Sequence, residues 1–112
     1  MREKLKSLTR KEELIMLSIL NLEKNAYLVA IADYLSQTTK KKVSLTSVHL
    51  PLNRLEKKGL IESEFGEATA VRGGRRKKIY TITKLGFEAL EEHKRISDLL
   101  WKNHLKYSSS KD

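Results

Sequence analysis

The sequence predicts a mainly α fold with one small β-hairpin, in the order α-α-α-β-β-α, on three observations. Before residue 60, three stretches carry apolar side chains at spacings of three and four, each bounded by cap or turn residues. After Gly59 the pattern changes to alternation, over residues 60–65 and again over 78–82. From Lys84 the helical spacing returns and holds to Tyr107. With 112 residues, one small core is expected and a large enzyme cleft is not.

The first eight residues, MREKLKSL, read as a frayed arm or an extra helical turn. Thr9 and Glu12 then form a capping box ahead of LIMLSILNL, which predicts a first helix to about Leu22. Leu14, Leu17, Ser18 and Asn21 share one side of it and Ile15, Ile19 and Leu22 another, so this helix has two partners to satisfy. Residues 23–25 are a turn, and residues 27–37 a second helix with Val29, Ile31, Ala32 and Leu35 inward. Thr38 and Thr39 are weak helix formers, and Lys40, Lys41 and Lys42 make a solvated or phosphate-facing corner, with solvation the expected state.

The third helix belongs to VSLTSVHLPLNRLEKKGLI. Ser44 is its N-cap, Gly59 its stop, and Leu45, Val48, Leu52 and Leu55 its buried stripe. Pro51 removes the bond to the Ser47 carbonyl, at about 3 kcal/mol in an unsupported helix interior. Two readings follow, a kink that re-aims Ser47 and His49 or a helix broken at Leu50. Two helices joined by a short polar corner are the outline of a helix-turn-helix. The alternating segments then form a hairpin whose connection, EATAVRGGRRK, is too long for a two-residue turn, which makes it a wing. Thr83 caps a last helix reaching at least Leu105. On it Ala89, His93, Ile96, Leu100, Asn103 and Tyr107 step by four and three, a seam that needs a partner helix. A homodimer is the consequence, with the first helix (Leu14, Leu17) joining the last in the interface. The expected domains are 1–83 (the helix-turn-helix and wing), 84–107 (the dimerisation helix) and 108–112 (a disordered tail).

Charge points to the partner. The net charge is +9, from 23 Lys and Arg against 14 acids, and five cations crowd into residues 72–78 with no acid among them. A balance that basic implies a polyanion. The absence of cysteine excludes disulfides and thiolate metal sites and fits a reducing cytoplasm. The longest nearly apolar run, residues 14–20, is far shorter than the roughly 20 residues of a membrane helix. His93 and His104 are about 16 Å apart on one helix and His49 lies elsewhere, so no metal site is expected. No phosphate loop, nucleophile elbow or triad context is present; neither an enzyme nor a cofactor is expected.

What remains is recognition of a duplex. Thr46, Ser47, His49 and Asn53 carry the short hydrogen-bonding groups that read base edges, although Asn53, in the second half of the helix, can equally stand idle. Arg72, Arg75, Arg76 and Lys77 are expected to hold phosphates, with Gly73 and Gly74 letting the backbone approach. Tyr27 either packs or sends its hydroxyl to a phosphate. Trp101 either packs or, with Phe87, walls an effector pocket between subunits. The rival from another class is a protein-interaction or assembly module with no duplex partner.

The pieces TRKEELIMLSIL, AYLVAIADYL, VSLTSVHLPLNRLEKKGLI, RGGRRKKIYTIT and KLGFEAL, in order over about residues 9–90, resemble the PadR family of bacterial winged-helix transcriptional regulators. The resemblance implies a dimeric repressor whose third helix enters the major groove of a palindromic operator and whose wing touches the backbone. It also implies release by a small, planar aromatic effector bound near the short C-terminal arm. Two positions depart from the usual pattern: the family commonly has a tyrosine where His49 stands, and Pro51 lies in mid-helix.

Overall fold

The computed structural model describes residues 8–66 and 77–111, with side chains to His104. Its elements are α1 (Arg10–Leu22), a 3-10 turn (Glu23–Asn25), α2 (Leu28–Thr39), α3 (Leu45–Lys57), β1 (Ile61–Phe65), β2 (Lys78–Ile82) and α4 (Lys84–Lys111). The order is the one the sequence predicts. α1 starts where the capping box puts it: the Glu12 amide donates to the Thr9 hydroxyl at 3.1 Å and the Thr9 amide to the Glu12 carboxylate at 3.0 Å. The other oxygen of the same carboxylate accepts from Lys58 Nζ at 3.3 Å, so one buried acid ties the start of α1 to the end of α3. Burial alone would raise the Glu12 pKa. The Thr9 and Lys58 hydrogen bonds and the Lys58 charge outweigh it and hold this carboxyl below its ordinary value.

Ile15, Met16, Ile19, Ile31, Ala32, Val48, Leu52, Leu55, Ile61 and Tyr80 build the core, with Ala89 and Leu90 closing it from α4. The two-sided α1 has its reason here, because it packs on α2, α3 and β2 at once. Leu8 is buried in the same cluster and lies ahead of the helix, so it belongs neither to a frayed arm nor to an extra helical turn; residues 1–7 lie outside the described part. α2 begins one residue later than expected, with Tyr27 as its cap, and continues to Thr39, whose hydroxyl bonds back to the Leu35 carbonyl at 2.7 Å. Lys40, left-handed at φ 60°, ends it. Val29 points outward rather than in, as does Leu45, the first residue of α3, at 47 % exposure each. At about 100° per residue Val29 falls well off the side of α2 that Ile31, Ala32 and Leu35 bury.

β1 and β2 pair antiparallel with Ile61 opposite Ile82 and Phe65 opposite Lys78. Only Ile61 of the β1 alternation is buried; Ser63 is half-buried, its hydroxyl donating to Glu56 at 2.6 Å, and Phe65 lies on the surface. The Tyr80 amide donates to the Ala26 carbonyl at 2.9 Å, which draws the start of α2 onto the free edge of β2. α4 is anchored at its first turn. Thr83 accepts from the Gly86 amide at 3.0 Å and donates to the Gly59 carbonyl at 2.7 Å, and a Cβ on Gly86 would run into the Leu60 carbonyl oxygen. The first turns of α4 therefore belong to the core, so the division at residue 83 falls inside one packed unit. Beyond them the helix leaves the body, in a molecule with extents of 64 × 37 × 21 Å, and it continues to Lys111, through most of the segment expected to be a tail.

Candidate nucleic-acid interface

Helix α3 is continuous through Pro51, and the broken-helix reading is set aside. Pro51 is buried with Val48, Leu52 and Leu55, so the ring supplies packing where its missing N–H removes a bond to Ser47. Ser44 caps the N-terminus by accepting from the Ser47 amide at 3.2 Å. At the other end the Leu60 amide bonds the Leu55 carbonyl and the Gly59 amide the Glu56 carbonyl, both at 3.0 Å, with Gly59 at φ 78°. This is a Schellman stop, and it requires a residue tolerant of positive φ.

With four buried positions fixing the inner side, the outer side follows from 100° per residue. Thr46, Leu50, Asn53 and Lys57 stand opposite the core, His49 on one flank and Arg54 on the other. Thr46, His49 and Arg54 are exposed and Asn53 is half-buried. His49 Nε2 and Asn53 Nδ2 are 3.3 Å apart, so the two share a hydrogen bond and orient one another. Ser47 is less well placed than the sequence implies. It sits toward the side, half-buried, and its hydroxyl donates to the Ser44 carbonyl at 2.8 Å, which leaves it only lone pairs to offer.

Sequence reasoning missed Leu50, which is 53 % exposed at the centre of this face. The signal was present: once Pro51 joins the buried stripe, Leu50 must point away, four residues from Thr46 and three from Asn53.

Of the residues expected to meet the phosphate backbone, Tyr27 and Lys77 come together, with Lys77 Nζ 4.0 Å from the Tyr27 ring centroid. That cation-π contact joins the start of α2 to the base of the wing. Arg72, Gly73, Gly74, Arg75 and Arg76 lie outside the described residues. Lys11, Lys41 and Lys42 line a concavity of about 700 Å³ with Ser44 and Ser47, placing positive charge beside the N-terminus of α3.

The expected interface residues divide. Ala89 is only 4 % exposed and serves the protomer's own core, while His93 meets Glu13 of α1 at 3.4 Å. Leu14 is packed against the core, whereas Leu17 is exposed. Ile96, Leu100 and Asn103 are exposed on the projecting part of α4, and the Tyr107 side chain lies outside the described residues. Phe87 and Trp101 do not share a pocket within one protomer. Phe87 lines a concavity with Leu17, Leu20 and Leu90, and Trp101 another with Ser97, Leu100 and His104. Fourteen residues of helix, about 21 Å, separate them. Among the described residues no group of His, Asp and Glu is arranged to hold a metal, and no helix is long and apolar enough to cross a membrane.

Three helices, a two-stranded wing and an outward polar face on the third helix define a winged helix-turn-helix, a DNA-binding class of transcription regulator. The model of the transcriptional regulator PadR-like family matches residues 16–92, and the chain belongs to that family, whose members are regulators and not enzymes. Among solved structures it is similar to a PadR-like transcriptional regulator from Bacillus cereus, at 28% identity and a TM-score of 0.70 over 86% of this chain and 88% of that one. A PadR family regulator from Clostridium difficile is 28% identical, with a TM-score of 0.63 over 86% and 96% of the two chains. A PadR-like transcription factor from Bacteroides fragilis is 25% identical, with a TM-score of 0.62 over 92% and 93%. No curated protein matches the sequence.

Proposed function

We propose that this protein is a homodimeric repressor that occupies a palindromic operator in the cytoplasm and is released from it by a small aromatic effector. The observation that carries the reading is the outer face of α3, where Thr46, His49 and Asn53 present hydrogen-bonding groups opposite a fully buried stripe. Thr46, His49 and Asn53 read base edges, with Ser47 contributing as an acceptor. Tyr27, Arg72, Arg75, Arg76 and Lys77 hold phosphates, and Gly73 and Gly74 let the wing approach them.

Dimerisation belongs to the free part of α4. Ile96, Leu99, Leu100 and Trp101 are all exposed there, and Leu17, Leu20 and Phe87 extend the apolar surface onto the body. An apolar surface that extensive on a 112-residue chain fits a second copy better than solvent. Two subunits so joined present two α3 helices to successive major grooves about 34 Å apart, or a multiple of that distance. The effector binds where the partner subunit closes the shallow hollow around Trp101, whose ring meets His104 edge-on at 5.9 Å. By linkage, an effector that favours the wrong spacing of the two α3 helices lowers operator affinity.

A gel-shift titration against the DNA upstream of its own gene, repeated at several salt concentrations, tests the reading. Wild-type protein is expected to shift the duplex with a steep salt dependence. Arg75→Ala with Arg76→Ala is expected to weaken binding to every duplex and to flatten the log-log slope by about 0.9 for each phosphate no longer neutralised. An unchanged slope removes the wing from the account, and no shift at low salt leaves the assembly-module reading in its place.

A further inference from the structure

We propose that Leu50 is a specificity residue that reads the 5-methyl group of a thymine in the major groove. The inference rests on the duplex-reading role of α3 and deepens it. Leu50 is 53 % exposed and stands directly opposite the buried stripe, between Thr46 one turn before it and Asn53 one turn after. Single apolar side chains on a surface are ordinary. This one is set on the face that a duplex would meet, among Thr46, His49, Asn53, Arg54 and Lys57, with Lys41 and Lys42 beside the N-terminus of the same helix. A partner matching that surface must be anionic and rich in hydrogen-bonding groups, and must still offer one apolar patch at the centre. The major-groove edge of a base pair does so at one place, the thymine methyl.

Asn53 sharpens the assignment to an A·T pair. Adenine presents N7 and the N6 amino group on the same groove edge, and an asparagine amide matches them by donating to the first and accepting from the second. The Asn53 amide carries two N–H groups, and His49 engages one of them at 3.3 Å. Its second N–H and its carbonyl oxygen remain for the base. Leu50 and Asn53, three residues apart on one face, therefore fit the two chemical features of A·T recognition, with His49 holding the amide plane.

The test uses a duplex selected from random sequence by the wild-type protein, with each thymine of the selected site replaced in turn by deoxyuridine, which removes the methyl and no hydrogen-bonding group. At one thymine per half-site, wild type is expected to lose about fourfold in affinity, the scale of burying one methyl-sized group. Leu50→Ala is expected to bind the thymine duplex more weakly and to show no further loss on the deoxyuridine duplex. Leucine and alanine are both strong helix formers at an exposed position, so the variant retains the fold. Wild type insensitive to every thymine-to-deoxyuridine change overturns the proposal, as does Leu50→Ala losing the same factor as wild type. Failure to select any sequence overturns the duplex reading itself, and with it this one.

Discussion

Helices α3 and α4 both bury one side against the same core, yet their outer surfaces differ in chemistry. Opposite its stripe, α3 shows threonine, histidine, asparagine and lysine with a single leucine. Past Leu90, α4 shows isoleucine, two leucines and a tryptophan. A helix that keeps polar groups outward is finished with its own protein and free to meet a hydrated partner. One that leaves four large apolar side chains in water is unfinished, and its natural partner is another helix of the same kind. On the reading proposed above, the contrast gives α3 to nucleic acid and α4 to a second subunit.

The largest effect should come from α4. Leu100→Glu with Trp101→Glu is expected to weaken dimerisation by about 4 kcal/mol, roughly a thousandfold, at about 2 kcal/mol for each central anchor. Sedimentation should show a monomer with the thermal stability of the wild-type protomer core. A dimer that persists would mean that the exposed apolar side of α4 is not the seam.

Gly86→Ala attacks the joint between the two helices, because the added Cβ meets the Leu60 carbonyl just after α3 ends. A loss of about 2 kcal/mol by chemical denaturation is expected, since backbone cannot move aside as a side chain can. No loss would show that α4 docks on the core less closely than the structure places it.

Glu12→Gln tests how α3 is held from the other side. The carboxyl is held below its ordinary value in the folded state, so its contribution is present above the unfolded value near 4.5 and is lost as pH falls through the lower folded value. Wild type is therefore expected to exceed the variant by about 1 kcal/mol at pH 7, the scale of a charge-assisted hydrogen bond and a helix cap. Melting curves from pH 7 to pH 3 should bring the two together at the acid end. Parallel curves would mean that Lys58 and the Thr9 amide do not act on the ionised carboxylate.

The smallest expected effect is His49→Ala, under about 1 kcal/mol on the preferred duplex and none on random DNA, because on the proposed reading the histidine acts chiefly by orienting Asn53, 3.3 Å away. Equal losses on both duplexes would make it a backbone ligand instead.

Much of this architecture was legible in the residues. Thr9 with Glu12, Ser44 and Gly59 marked helix ends because caps satisfy amides and carbonyls locally, and local chemistry is visible in a sequence. The two strands and the burial of Val48, Leu52 and Leu55 followed from period alone. Misreadings fell where tertiary contact decides. Leu8 is buried because the core reaches past the helix start, while Val29 and Leu45, expected inward, are exposed because no neighbouring element covers them. Pro51 looked like a threat to α3 and proved to be part of its packing, which is also why Leu50 went unnoticed. Ala89 was legible as part of a heptad stripe, but a stripe does not say which partner covers each position. On α4 the protomer covers the first turns and leaves the rest.

The central claim is that two copies joined through α4 present two α3 faces to one duplex, and a hydroxyl-radical footprint on a duplex selected by the wild-type protein tests it most directly. Two symmetric protected half-sites are expected, separated by a whole number of helical turns of about 34 Å each. A single asymmetric footprint, or no protection at low salt, would contradict it.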